Sequence, residues 1–558
     1  MHNEILLFIL KIVKLIIDKP IFFGLIAGFS TFFWLSFKKR EKEMLEGVSS
    51  FFLIIGFSWL LTWFCLTWFN IYSPTKDLFF WTISSFIGFF LALAFERKFL
   101  PKFEKLLKEN TKTSDLERDK KTDIRDFENI KKNISYDPVE FFKKDAWFLG
   151  LDDEKNPIYY NSKKLPHFQI SGKSGVGKSV LLGLLAYQSV LKDESCIVFD
   201  PKHGGDEYFP DVCKKACDSI GVNFNFIDLR EAIAQINILQ GADADDIANL
   251  LITNFLLEDR GDPADFFRGK DRAMARFVAK NYKNGDTLAS INAEYNKFFR
   301  AKENGGDGFA NQMDEISEVI SINASNGLNL KNMIENKEFI YIAGDWLDPK
   351  FIKAQRMVLA RIIQIVGKRD NRQSEPNQVG ILLDEFSFQI SKIFGDSLKI
   401  IRDKGVHFVL AHQGLKDLED CPQNMNEKQF SSSVLTNCGL KFTYRSADVE
   451  TAEYFSELSG DILVDDEIRH LDKSLSLTET VSHERQIRQT EKKYIDVNTM
   501  LMLPENCGIF FGDGLAKISN ISPIKVSKTI EARLIQSFDS HIESKNNDND
   551  FLEFEELN

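Results

Sequence analysis

The stretch Phe168-Gln169-Ile170-Ser171-Gly172-Lys173-Ser174-Gly175-Val176-Gly177-Lys178-Ser179 decides the fold. Its first four residues read as a short apolar strand, and the next eight fill every fixed position of the pattern G-x-x-x-x-G-K-[ST]. Glycines in such a loop let backbone N–H groups turn inward around phosphate oxygens. Lys178 can then reach the β and γ oxygens, and the Ser179 hydroxyl is placed to bind Mg²⁺. Val180 to Leu191 follows as an apolar helix whose positive N-terminal dipole lies under the phosphates, and Cys196 to Asp200 reads as a buried strand. Strand, loop, helix and strand in that order separate a nucleotide loop from a chance match in a Gly/Ser-rich turn. The cofactors implied are ATP and Mg²⁺, held by Gly172, Lys173, Ser174, Gly175, Val176, Gly177, Lys178 and Ser179.

An ATP-hydrolysing core also needs acids at the tip of a second strand. Val379-Gly380-Ile381-Leu382-Leu383-Asp384-Glu385 supplies them. Asp384 would hold the Mg²⁺ shell with Ser179, and Glu385 would orient and partly deprotonate the attacking water. A third apolar strand, Val406 to His412, ends at Gln413, whose amide could sense the γ-phosphate; His412 is expected only to pack. The eight histidines show no metal-ligand spacing with Cys, Asp or Glu, so no metal beyond Mg²⁺ is implied.

Outward from this core, 558 residues suggest three to five structural units at roughly 100–200 residues each. A formal charge of −12 excludes a polycationic nucleic-acid coat, so any nucleic-acid contact must be local. Seven scattered cysteines without CxxC pairs indicate neither a disulfide framework nor a zinc site, which puts the bulk of the chain in the cytosol. Phe51 to Tyr72 and Leu78 to Phe95 are uncharged runs of 22 and 18 residues, near the ~20 needed to cross a bilayer as a helix. Lys38, Lys39, Arg40 and Lys42 precede them and Arg97, Lys98, Lys102, Lys105 and Lys108 follow, so both outer ends are expected in the cytoplasm. Ile21 to Phe37 is read as a third span, and Ile5 to Ile17, with Lys11 and Lys14, as an interfacial helix. No small-residue cleavage site follows the apolar core, which argues against a cleaved signal peptide.

Several further motifs carry a family resemblance. They are Asp200-Pro201-Lys202, the stretch Ile401-Arg402-Asp403-Lys404-Gly405-Val406 leading to Ala411-His412-Gln413, Leu435-Thr436-Asn437-Cys438, Phe442-Thr443-Tyr444-Arg445-Ser446, Thr451-Ala452-Glu453 and Ser459-Gly460. With the phosphate loop and Asp384-Glu385 they resemble, in order and spacing from about Phe148 to Ile524, the coupling proteins of type IV secretion and conjugation, the TraD/TraG-like DNA-transfer ATPases. The family usually shows Asp-Pro-Lys-Gly and then an acid; here His203 intervenes before Gly204, Gly205 and Asp206. The family also typically has two spans, where this chain is read as having three.

The resemblance implies an α/β fold with a RecA-like phosphate-loop core on a parallel central sheet, an all-α insertion and N-terminal transmembrane helices. The organisation expected is a membrane anchor at 1–100, a charged linker at 101–145, the nucleotide-binding domain at 146–262 and 326–535, the insertion at 263–325, and an acidic disordered tail at 536–558. In the insertion, Phe266, Phe267, Met274 and Phe277 are expected along one side, with Arg268, Lys270, Arg272 and Arg276 as a basic face. A homo-hexameric ring is implied, its site completed by a neighbour's arginine, Arg445 first and Arg402 second. From Glu543 onward six acids stand against Lys545, interleaved with Phe551, Leu552 and Phe554, a composition suited to docking basic partners.

The function expected is that of an inner-membrane ATPase, multi-pass with a large cytoplasmic C-terminal domain. It would couple a relaxosome with its single-stranded DNA, or effector proteins, to type IV secretion channel subunits, with membrane lipids around the anchor. Lys178, Glu385, Gln413, Arg445 and Arg402 would carry catalysis. The competing readings are an ATP-regulated membrane receptor for effector proteins and a membrane-tethered chromosome or DNA translocase.

Overall fold

The computed structural model describes residues 2–39, 43–69, 75–98, 134–202, 208–302, 305–372, 375–473, 479–512 and 514–538. The acidic tail from Glu543 onward, most of the charged linker, and His203 to Asp206 lie outside them. The chain divides into two compact units, Met1–Asp115 and Leu116–Asn558.

The first unit contains α1 (His2–Ile17), α2 (Pro20–Lys39), α3 (Glu43–Trp68) and α4 (Thr75–Lys98). α2 packs against both α3 and α4, and small residues let the backbones close in. A Cβ on Gly28 would meet Ser85 O at 1.8 Å, and one on Gly56 would meet Ala27 Cα at 2.5 Å. The buried Trp59 donates its indole N–H to Ile17 O at 3.1 Å and stacks on Trp81. Two helices among the described residues are long and apolar enough to cross a membrane, Val48–Trp68 and Thr75–Arg97. The apolar part of α2, Pro20–Ser36, where a third span is expected, is shorter than these two.

The second unit is built on a sheet of eleven strands. In chain order they are β1 (Trp147–Leu151), β2 (Pro157–Tyr160), β3 (Phe168–Ser171), β4 (Ser195–Asp200), β5 (Phe224–Asp228), β6 (Phe339–Ala343), β7 (Val379–Leu383), β8 (Val406–His412), β9 (Leu440–Thr443), β12 (Cys507–Phe511) and β13 (Lys517–Asn520). A separate ribbon pairs β10 (Asp461–Lys473) with β11 (Glu479–Lys493). Across the large sheet the order is β2-β1-β13-β12-β9-β3-β8-β7-β4-β6-β5. Pairing is parallel from β9 through β5, and antiparallel from β9 through β12, β13 and β1 to β2. The sheet is therefore mixed and mostly parallel. The parallel centre is the expected one, and the antiparallel margin adds to it, because the last strands are joined by short hairpins such as β12–β13, which only antiparallel neighbours can use.

The parallel strands are apolar on both faces, as they must be when helices cover each side. Cys196 and Val198 of β4 face a cluster with α5 (Lys178–Leu191) and α6 (Phe209–Ile220), whose Leu181, Leu184, Leu185 and Val212 are inaccessible to solvent. Ile197 and Phe199 face the other cluster, which runs into α7 (Ala244–Asn254), α8 (Asp265–Asn281), α9 (Leu288–Phe299) and α10 (Asp307–Ser317). Each fully buried leucine contributes roughly 2 kcal/mol.

In α8, Met274 is buried beside Gly306, and Phe277 packs on Phe298. Phe266 and Phe267 differ from the expected common side: they are 66% and 63% exposed. They precede Asp271, whose carboxylate accepts the Phe309 N–H and marks where α10 begins to cover the helix. The basic face is also partly neutralised, since Arg268 pairs with Asp262 and Asp265, and Arg272 with Asp259.

Candidate nucleotide site

The carboxyl ends of parallel strands expose unpaired backbone groups, and crevices there are where ligands bind in such sheets. β3, β8, β7 and β4 are neighbours, so the loops after them meet at one edge. The loop after β3 runs from Gly172 to Gly177 and opens directly into α5. Gly172, Gly175 and Gly177 have φ of +155°, +79° and +111°, and the last two lie in the region that favours glycine. Three backbone ties hold the loop: Gly172 N–H donates to His412 O at 3.2 Å, Lys173 N–H to Arg445 O at 3.0 Å, and Asn506 N–H to Val176 O at 2.9 Å. Among the described residues the N–H groups from Ser174 to Ser179 have no acceptor, which is the donor array a phosphate group requires. Lys178 Nζ donates to Gly172 O at 2.7 Å, and burial pulls its pKa down against the opposing pull of Glu385 and Asp384.

Two strands away, Asp384 is inaccessible to solvent and Glu385 is 8% exposed. Glu385 has φ +42°, a left-handed conformation that costs a non-glycine residue energy and that clusters at functional sites. Burial pushes the Asp384 carboxyl up, opposed chiefly by Lys202. Burial acts on Glu385 in the same direction, but the charges of Lys178 and Lys202 outweigh it and hold the group below the usual range.

Gln413, on β8's exit, donates its side-chain N–H to Glu385 Oε2 at 3.4 Å, and its backbone N–H to Asp417 Oδ2 at 2.6 Å. His412 is buried, with Nδ1 2.9 Å from Gly414 O and Nε2 2.9 Å from Gln169 Nε2. Because a carbonyl can only accept, Nδ1 carries the proton and Nε2 accepts from Gln169. Burial brings the His412 pKa down to about 4, so the ring is a neutral packing element.

The two arginines are placed apart. Arg445 lies beside this chain's own phosphate loop, its carbonyl bonded to Lys173 and its buried Nε without an acceptor among the described residues. Arg402 sits before β8 at the opposite edge, lining a cavity of about 340 Å³ with Lys164, Pro376 and Gln378. The length of β8, seven residues at roughly 3.3 Å each, separates it from Gln413.

Two residues outside the expected site belong to it by geometry. Lys202 Nζ is 2.9 Å from Asp384 Oδ2 and 3.0 Å from Glu385 Oε1. Asn506, with φ +56°, brings its Oδ1 to 2.3 Å from where a Cβ on Gly177 would stand. Lys202 belongs to the stretch Asp200-Pro201-Lys202, but nothing in the sequence links it to Asp384, 182 residues on.

The residues fit a Mg²⁺–nucleotide: unpaired N–H donors and Lys178 for phosphate, and the hard oxygens of Ser179 and Asp384 for the metal. Fold and site define a phosphate-loop, nucleotide-binding protein. Two family models match the chain, "Helicase HerA, central domain" over residues 148–344 and "TraM recognition site of TraD and TraG" over residues 378–505. Mobilization protein A of Escherichia coli is 26% identical over 326 residues, 58% of this chain and 60% of that protein, so the chain spans less than two thirds of that relative. Among solved structures, the bacterial conjugative coupling protein TrwBdeltaN70 is similar with a TM-score of 0.49 and 14% identity, covering 72% of this chain and 96% of its own. VirB4 of Thermoanaerobacter pseudethanolicus gives 0.47 and 12%, covering 70% and 99%. The family models and the mobilization relative support the conjugation coupling protein family, the group that the motifs between Phe148 and Ile524 resemble.

Proposed function

We propose that this chain is a membrane-anchored ATPase that couples a relaxosome and its single-stranded DNA to a type IV secretion channel and drives transfer by ATP hydrolysis. The observation that carries the reading is the convergence of the phosphate loop, Asp384-Glu385 and Gln413 at one sheet edge, inside a chain that matches a TraD/TraG recognition-site model. Lys178 and the loop N–H groups bind the phosphates. Ser179 and Asp384 would hold Mg²⁺, which supplies charge neutralisation at the transferring phosphoryl group. Glu385, kept ionised by two lysines, orients water and takes its proton, and Gln413 links that acid to the strand beside the phosphate loop.

The Val48–Trp68 and Thr75–Arg97 helices anchor the protein in the bacterial inner membrane, and a homo-hexamer places the sites between copies. A neighbour's arginine completes each site, with Arg445 and Arg402 as the candidates; Arg402 is exposed at the far end of β8, and the Arg445 backbone carbonyl is bonded to this chain's own phosphate loop. The insertion and the acidic tail contact the relaxosome. Plasmid transfer from donor cells carrying Glu385→Gln tests the proposal: transfer should fall at least a hundredfold at unchanged protein level. Transfer at the parental frequency would overturn it.

A further inference from the structure

The acidic pair already has a cation. Lys202 Nζ stands between Asp384 Oδ2 at 2.9 Å and Glu385 Oε1 at 3.0 Å, while the Glu385 N–H binds Asp384 Oδ1 at 3.0 Å. Both Asp384 oxygens are thus engaged, one of them by an ammonium. Two adjacent buried carboxylates without a counter-charge are costly, so this contact offsets part of their desolvation penalty.

The same contact obstructs the role assigned to Asp384. A carboxylate oxygen cannot sit 2.9 Å from an ammonium and ~2.1 Å from Mg²⁺ in the same direction without bringing two cations together. The Lys202 ammonium and a Mg²⁺ held by the same carboxylate would repel each other, so departure of the ammonium from Asp384 favours entry of that carboxylate into a Mg²⁺ shell. The local structure allows it. The Lys202 backbone is pinned, its N–H donating to Asp200 Oδ1 at 2.9 Å and its strand edge bridging Asp345. Asp200 is in turn fixed by the Tyr341 hydroxyl at 2.7 Å. The Lys202 side chain, by contrast, is 36% exposed and flexible, so its head can swing while its base stays. Released from Asp384, it remains beside Glu385 and the phosphate loop.

We propose that Lys202 is an internal counter-cation for the Asp384-Glu385 pair, a positioning residue that competes with Mg²⁺ and sets the Mg²⁺ concentration at which the site becomes competent. The inference rests on the nucleotide-site reading above and adds to it a residue with a role opposite to that of Lys178: one lysine binds with the metal, the other against it.

The test is Mg²⁺ titration of full-length protein in detergent, following binding of a fluorescent N-methylanthraniloyl ATP analogue. Lys202→Met keeps the length and removes the charge; its Mg²⁺ midpoint should lie about tenfold below the parent's, while Lys202→Arg should stay within about twofold. A Lys202→Met midpoint equal to or above the parent's would overturn the inference, since a purely structural ion pair leaves the midpoint in place and a phosphate ligand raises it. If Lys202→Met does not fold, the comparison moves to Glu385→Gln against the double variant Lys202→Met/Glu385→Gln, in which charge balance is restored, with the same shift expected. Lys178→Ala separates the two readings. If the parent binds nucleotide and Lys178→Ala does not, an unmoved Lys202→Met midpoint defeats the counter-cation alone. Binding that Lys178→Ala leaves intact would defeat the nucleotide site itself, and the counter-cation with it.

Discussion

At the scale of single residues, Lys178, Lys202, Asp384 and Glu385 form a balanced quartet in which the charges of the acids and the lysines act on one another. Far from them, Glu194 shows what happens without such balance. It is 4% exposed, and burial raises its pKa to about 8, against weaker opposing pulls from Ser189 and Lys192. His407 Nε2 lies 3.9 Å away, but burial holds that ring neutral with a pKa of about 3, so the two are neutral neighbours. Between pH 4.5 and 8 the folded protein keeps a Glu194 proton that the unfolded chain has released, so this group makes stability fall as pH rises. Glu194→Gln should therefore raise Tm at pH 8.5 by the equivalent of at least ~1 kcal/mol and change it little at pH 4; an equal effect at both would contradict the assignment.

Of the site residues, Lys178, Ser179, Asp384 and Glu385 were legible because their chemistry fixes their spacing within a short motif. Lys202 and Asn506 were not, because each reaches the site from another strand's exit, and chain separation carries no information about such distances.

At the scale of elements, the central strands were readable because parallel strands covered on both sides are continuous apolar runs. Val406–His412 and Val379–Leu383 appear as expected from the sequence. The antiparallel margin escaped: β1, β2, β12 and β13 are four or five residues long, too short for a period to register. The β10–β11 ribbon escaped because its strands, such as Asp461-Ile462-Leu463-Val464-Asp465-Asp466, have a charged composition that reads as loop. The phosphate loop is where element geometry is most demanding. Gly177 combines φ +111° with an approach of Asn506 Oδ1 to 2.3 Å of a would-be Cβ. Gly177→Ala should cost about 1–3 kcal/mol, lower Tm accordingly and weaken nucleotide binding; an unchanged Tm would show that the clamp by Asn506 is not tight.

At the scale of the whole molecule, an acidic total and an aromatic front end have separate homes. The Phe-rich runs belong in part to α2, α3 and α4, and the −12 charge leaves room for confined nucleic-acid contacts only. The proposed oligomer is testable through the arginines. If Arg402 completes a neighbour's site, Arg402→Ala alone and Glu385→Gln alone should each be inactive, while mixing the two proteins should restore part of the turnover through sites built from an intact acid and an intact arginine. Mixtures without recovery would place the arginine's role within one chain.

The measurement that bears most directly on the central claim is ATP turnover by full-length protein in detergent, with and without single-stranded DNA, for the parent and Glu385→Gln. The parent should hydrolyse ATP faster when DNA is present, and Glu385→Gln should bind the nucleotide yet turn over at least about a hundredfold more slowly. A parent that does not hydrolyse ATP, or a Glu385→Gln protein as fast as the parent, would contradict it.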